Sequence, residues 1–255
     1  MDTVETDQFW DSSSSLLVDT IETDVNRITS LAFDTTGTLL AWARSEARDP
    51  WIGNGSVFIY NPQTESEIAS FYNVADIVTS LHFSPGNEVI IFRGSYPGYG
   101  FDIQIWNIET ETRLTIRELW FVVPAYSSYT SVVALGVTMS LGITNEYSYQ
   151  IEIWDAQTDT IIQSIPIARN AQRDPFAIPN RIPALALNND ASIVASGNDE
   201  GIITIWDINT GTQLASFQAY SQSVEQLAFT NDGKKLISLG TDGSAHSIQI
   251  WGIRS

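Results

Sequence analysis

Six aromatic residues return along this chain at nearly equal intervals: Trp10, Tyr60, Trp106, Trp154, Trp206 and Trp251, spaced 50, 46, 48, 52 and 45 residues apart. A period of about 40 to 50 residues marks stacked supersecondary units, each too small to bury its own apolar face. Whatever one unit forms, its neighbours form too, and the units must cover one another.

The most regular copy reads Ile203-Thr204-Ile205-Trp206-Asp207-Ile208-Asn209-Thr210-Gly211-Thr212-Gln213-Leu214. Its kin are 57–68, 103–114 and 151–162, with a shorter copy at 248–253. Each opens with alternating β-branched residues that end in an aromatic, which is a strand pattern. Asn or Asp follows, then two variable residues and Thr in the best copies, which is hairpin-turn chemistry. Asn61, Asn107, Asp155 and Asp207 are placed to accept hydrogen bonds from the turn backbone, and Gly211 can adopt a positive φ.

A further pair of strands precedes each copy. In the last unit 224–229 passes through Thr230-Asn231-Asp232-Gly233 into 235–239, and in the first 28–33 passes through 34–37 into 38–42. The second unit runs 78–83 to 89–92 and the fourth 182–187 to 192–195. The third, 120–126 to 131–135, is the most divergent. The unit is therefore four antiparallel strands, a to d, and no helix-period segment competes. Such a sheet cannot bury both faces alone. Fanning sheets around an axis covers the faces and leaves only short edges. Along strand c, Ile103 and Ile105 face one neighbour, Gln104 and Trp106 the other.

This repeat resembles the Trp-Asp (WD) repeat family of β-propellers over about residues 10 to 255. Trp154-Asp155 and Trp206-Asp207 carry the signature dipeptide, from which Tyr60-Asn61, Trp106-Asn107 and Trp251-Gly252 depart. Asp199 and Asp242 occupy the place of the Asp that the family often carries between strands b and c. The family's Gly-His dipeptide before strand a is absent: Asn73-Val74 stands there in the second unit and Ala219-Tyr220 in the last. The Asn/Asp-x-x-Thr turn is more similar to bacterial members. The resemblance implies an all-β propeller of four-stranded antiparallel blades. Four whole units plus one composite unit make five, with N-terminal residues Leu16 to Thr20 supplying strand d to the C-terminal blade. A section of a larger six- or seven-bladed ring is the alternative. Residues 1–11 then form an N-terminal extension or surplus strand, and 12–255 a single propeller.

Charge narrows the partners. The net charge is −18, and Lys234 and Lys235 are the only lysines. Such a surface repels phosphate backbones and anionic membranes, so no nucleic-acid partner is expected. With no cysteine there is no disulfide or thiolate chemistry. No apolar stretch is long enough for a membrane-inserted helix. Met1 to Glu5 is acidic and lacks the apolar core of a signal peptide. The compartment is left open: cytoplasmic if this start is native, extracytoplasmic if a leader was removed.

Loops on a rigid scaffold carry function. The long excursions 44–55, 93–101, 137–149 and 168–181 are all b–c or d–a connections, which share one rim. They hold Arg44, Arg48, Trp51, Arg93, Tyr96, Tyr99, Phe101, Tyr147, Arg169, Arg173, Phe176 and Arg181, together with Tyr149. Arginine and aromatics are enriched at protein–protein hot spots. The bland reading of the same residues is loop packing, with arginines paired to Glu46, Asp49 and Asp174. Catalytic constellations are poor. His82 alternates within strand a and reads as structural, and His246 reads as a solvated b–c loop residue near Asp242 and Ser244. No phosphate-binding loop or metal-ligand spacing is present, so no cofactor is expected. The expectation is a non-catalytic platform for a protein or peptide partner. One alternative is a carbohydrate-binding or glycoside-hydrolysing five-bladed propeller, which would need two carboxylates at a set separation. Another is a structural subunit that self-associates through its N-terminal strand.

Overall fold

The computed structural model describes residues 5–10, 17–23, 28–45, 55–75, 77–85, 88–94, 101–119, 123–127, 129–140, 147–158, 160–170 and 182–253, and every regular element among them is a β-strand. A hairpin of β1 (Glu5–Trp10) and β2 (Leu17–Thr23) comes first. The first full sheet is β3 (Ile28–Phe33), β4 (Leu40–Ser45), β5 (Gly55–Asn61) and β6 (Ser66–Ala75). The second is β7 (Ile77–Phe83), β8 (Glu88–Gly94), β9 (Phe101–Asn107) and β10 (Thr112–Leu119). The third is β11 (Val123–Tyr126), β12 (Val132–Ser140), β13 (Tyr147–Asp155) and β14 (Thr160–Asn170). The fourth is β15 (Ala184–Leu187), β16 (Ile193–Gly197), β17 (Ile202–Asp207) and β18 (Gln213–Gln218). The last has three strands, β19 (Val224–Phe229), β20 (Lys235–Asp242) and β21 (Ala245–Gly252). Strands lie beside their sequence neighbours in antiparallel register, as a connection of a few residues allows.

The chain forms two compact units, Met1–Phe83 with Val89–Ile116, and Ser84–Glu88 with Arg117–Ser255. In the first, Ala41, Val57, Ile59 and Phe71 of one sheet pack on Val78, Leu81, Phe83 and Ile108 of the next. The second unit repeats the device twice. Ile151, Ile153 and Ile165 meet Leu185, Leu187 and Val194, and Ile203 and Ile205 meet Tyr220, Val224 and Leu236. The strand-c isoleucines face the next sheet, as period-2 alternation requires. A strand-d phenylalanine meets the next sheet's tryptophan in each unit: Phe71–Trp106 at 5.0 Å and Phe217–Trp251 at 4.6 Å between ring centroids.

Two expectations need correction. Of Leu16 to Thr20, expected to complete the last sheet, Leu16 lies outside the described residues, and Leu17 to Thr20 belong to β2, which pairs with β1 in a two-stranded sheet from Glu5↔Thr23 to Trp10↔Leu17, while the last sheet has three described strands. A hairpin closed by a few intervening residues has a far smaller loop-closure cost than a pairing across the whole chain. The connections are also shorter than the composition suggested, because strands run into them. Arg44 lies in β4, Arg93 in β8, Phe101 and Tyr147 open β9 and β13, and Arg169 lies in β14. The β12–β13 ladder persists to Ser140↔Tyr147 and that of β13–β14 to Tyr147↔Asn170. Backbone pairing continues where side chains no longer alternate in polarity. The stretches left between strands are 46–54, 95–100, 141–146 and 171–183.

Candidate functional site

Each sheet has two ends of different chemistry. At the a–b and c–d end the turns are self-capped. Asn61, Asn107, Asp155 and Asp207 accept main-chain hydrogen bonds from residues two or three further on, at 2.8–3.2 Å. Two hydroxyls then pair across each turn: Thr64–Ser66, Thr110–Thr112, Thr158–Thr160 and Thr210–Thr212, at 2.7–2.8 Å. The residue between them takes a positive φ at Glu65, Glu111 and Gly211. The Thr210 amide and hydroxyl hold the Asp207 carboxyl below its ordinary pKa. At Asp34 burial acts to raise the pKa, and hydrogen bonds from Leu39, Thr36 and Thr38 outweigh it and lower it. Asp155 follows the same logic, burial being outweighed by Ser131 and the turn amides. The hydroxyl of Ser192 does this for Asp190, and that of Thr230 for Asp232. These carboxylates therefore keep their charge into acid solution.

The a–b turns of the fourth and last sheets enclose a cleft of about 710 Å³, lined by Asn188, Asn189, Asp190, Asn231, Asp232 and Lys234 among others. The Asn189 amide donates to the Asn231 carbonyl across it. Most of its polar groups are committed to their own turns. Asn188 Oδ1 accepts from the Ile193 amide at 2.9 Å, and Asp232 Oδ1 from the Thr230 hydroxyl at 2.6 Å.

The b–c and d–a end is the one singled out from composition. Of the twelve residues named there, Arg44 has a described side chain. Its guanidinium lies 5.0 Å from the centre of the Phe58 ring, which stacks on Trp42 at 4.3 Å and 17°. This is a half-buried cation–π stack on the sheet. Arg48, Trp51, Tyr96, Tyr99, Arg173, Phe176 and Arg181 lie outside the described residues, as do the side chains of Arg93, Phe101, Tyr147 and Arg169. Tyr149 belongs to the interior rather than to this rim, at 2 % exposure.

A buried polar network that composition did not reveal ties this end of the last sheet together. Tyr220, in the place of the missing histidine, puts its hydroxyl 2.9 Å from the Ser238 carbonyl and 2.7 Å from Ser238 Oγ. Trp251 Nε1 donates to the same Oγ at 2.9 Å. In the fourth sheet Trp206 Nε1 donates to Ser196 Oγ at 2.9 Å. In the second, Trp106 uses Gln104, whose amide donates to the Val74 carbonyl at 2.6 Å. Gln249 repeats that last contact with Ala219 at 3.0 Å. For the glutamine contacts the available signal was the polar residue two places before the tryptophan, Gln104 and Gln249. Asp242 accepts from the Ser221 amide at 2.6 Å and so fastens the d–a connection to the end of strand b.

The histidines occupy different settings. His82 sits in β7 with partial exposure, in surroundings whose desolvation pushes its pKa down to about 4. His246 is in strand β21, not in a loop, opposite Thr241, with Nδ1 3.3 Å from Glu225. The described residues hold no cluster of three metal-ligating side chains, and no described helix is long and apolar enough to cross a membrane.

Stacked antiparallel sheets with indole–hydroxyl bonds inside and self-capped turns at one end define an all-β repeat scaffold of propeller-like type. No protein-family model matches the chain. It is similar to the pre-rRNA-processing protein IPI3 of Mycosarcoma maydis, 28 % identical over 137 residues, which is 51 % of this chain and 21 % of that protein. It is similar to a WD repeat-containing protein 91 homolog of Dictyostelium discoideum, 32 % identical over 74 residues, 29 % of this chain and 9 % of the relative. The DDB1- and CUL4-associated factor 13 of the same organism is 39 % identical over 71 residues, 28 % of this chain and 14 % of the relative. These matches support a WD-repeat relationship at modest identity over part of the chain. The chain spans about a fifth or less of the length of these relatives.

Proposed function

We propose that this chain is a non-catalytic interaction platform that holds a protein or peptide partner on the b–c and d–a end of its sheets. In this reading residues 12–255 act as one propeller-type body, with the sheets as successive blades. The observation that carries it is topological: the longest stretches between strands, 46–54 and 171–183, are a b–c and a d–a connection. The opposite turns are short and spend their polar groups on themselves. The sequence of the long stretches supplies Arg48, Trp51, Arg173, Phe176 and Arg181, residue types that dominate binding energy at interfaces. Likeness to a WD repeat-containing protein and to a factor named for its association with other proteins points the same way.

The test is a pull-down from native extract with wild type and with Arg169, Arg173 and Arg181 all changed to Glu. Reduced recovery of the same partner supports the rim, provided thermal unfolding is unchanged. Lys234→Glu, at the other end, should leave recovery intact. Equal recovery with the triple variant removes this end from consideration.

A further inference from the structure

Most turns of this repeat spend their hydrogen bonds on the hairpin they close. The d–a connection from the fourth sheet to the last spends its bonds on two sheets at once, both within the second compact unit. Ala219 and Tyr220 donate their amides to the Gly201 carbonyl at 2.9 and 3.1 Å, and Val224 donates to that of Asn198 at 2.9 Å. Both acceptors lie in the b–c turn of the fourth sheet. In the other direction Gln222 donates to the Thr241 carbonyl at 3.1 Å, and the Thr241 amide donates to that of Ser223 at 3.0 Å. The Ser221 amide donates to Asp242 Oδ1 at 2.6 Å. These partners lie at the end of strand b in the last sheet.

Side chains hold the carbonyls of the same segment. Gln249, on strand c of the last sheet, donates to the Ala219 carbonyl at 3.0 Å, and Gln218 donates to that of Tyr220 at 2.5 Å. The sequence leaves room for this close approach. A Cβ on Gly197 would lie 2.5 Å from Val224, and one on Gly240 would lie 2.4 Å from the Tyr220 ring.

A segment bonded this way cannot leave one sheet without losing bonds to the other. At the opposite end the bond that crosses between these sheets runs from the side chain of Asn189 to the Asn231 carbonyl. A side chain can give up such a bond by turning about its own torsions. The main-chain bonds of 219–224 break only if the backbone of the connection moves.

We propose that 218–224 is a clasp that couples the fourth and last sheets, so that the two open as one cooperative unit with the connection closed over both b–c turns. Cooperative units of this kind have a common opening free energy, and a weakening anywhere inside one is felt throughout it. The clasp is made of the chain's own bonds and acts with or without a partner at this end.

Native-state hydrogen exchange of the full chain tests this. The amides of Ala219, Tyr220, Gln222 and Val224 should be protected to the level of those in β17 and β20. Thr230→Ala removes a cap from an a–b turn of the last sheet alone. It should nonetheless lower protection about fivefold in β16 and β17 as well as in β20 and β21. In a background carrying Asp242→Ala and Gln249→Ala, with two arms of the clasp removed, Thr230→Ala should weaken the last sheet and leave the fourth within about twofold of that background. Fast exchange across 219–224, a Thr230→Ala effect confined to the last sheet of the otherwise wild-type chain, or an effect still shared equally once the two arms are gone overturns the proposal. The first two of these outcomes are read without the clasp variants, so they hold even if that background fails to fold.

Discussion

The fourth and last sheets share strand register, turn chemistry and an indole–serine bond, yet the strand-c isoleucines on the outer face of one are buried and those of the other are exposed. Trp206–Ser196 and Trp251–Ser238 have the same 2.9 Å bond, and Asn188 and Thr230 open equivalent a–b turns. Ile205 is 5 % exposed and Ile250 65 %. Hydrogen bonds and turns build each sheet from within, and they are alike because the repeat is alike. Burial is built between sheets, from side chains that each sheet receives from its neighbour.

The strongest way to break this comparison uses the b–c turn glycines. A Cβ on Gly201, at φ +80°, would lie 2.1 Å from the Tyr220 carbonyl oxygen and 2.2 Å from that of Gln222. Those are main-chain atoms and cannot turn aside. Gly201→Ala should cost about 4 kcal/mol or more, in the range reserved for backbone strain and overpacking. Gly243, in the last sheet's equivalent turn at φ +64°, faces open space, so Gly243→Ala should cost only about 1 kcal/mol. Urea denaturation of the two variants reads the difference.

Next comes the outer face itself. Ile205→Ala should cost about 3 kcal/mol, the usual loss for a buried isoleucine. Ile250→Ala should cost less than about 1 kcal/mol in dilute solution. Equal losses would mean that both faces are covered.

Burial of a titratable group extends the contrast to the second sheet. An unfolded histidine titrates near 6.5, and His82 in the fold near 4. Between those values the unfolded chain binds the extra proton, so the stability is complete above pH 6.5 and is lost as pH falls toward 4. The loss reaches at most about 3 kcal/mol. His82→Gln should flatten the pH dependence of the denaturation midpoint in that window.

The smallest effects should be equal in the two sheets. Asn188→Ala and Thr230→Ala each remove side-chain caps from an a–b turn, and each should cost about 1 kcal/mol by thermal unfolding. A large gap between them would show that the turns are not interchangeable.

Much of this organisation was legible before any coordinates. Alternation around Ile203 to Trp206 names a strand, and Asp207 with Thr210 and Thr212 names the turn, because each is settled by neighbours a few residues away. The candidate rim was legible only as composition, from Arg48, Trp51, Arg173, Phe176 and Arg181. Tyr149 shows the weakness of that signal: counted with the loop aromatics, it lies inside. The Tyr220–Ser238–Trp251 network was hidden because its members are far apart in sequence. It also depends on Gly240, where a Cβ would fall 2.4 Å from the Tyr220 ring.

The amino-acid order alone determined the unit, its strand pattern, its capped turns and which strand-c residues share one face, because these follow from local backbone preference and period-2 alternation. Tertiary structure decided that β2 pairs with β1, that Tyr220 substitutes for the missing histidine, and that Ile248 and Ile250 stand uncovered while Ile203 and Ile205 do not. Those outcomes depend on competition between distant partners and on the volume available at each contact, and no window of sequence contains both sides of either.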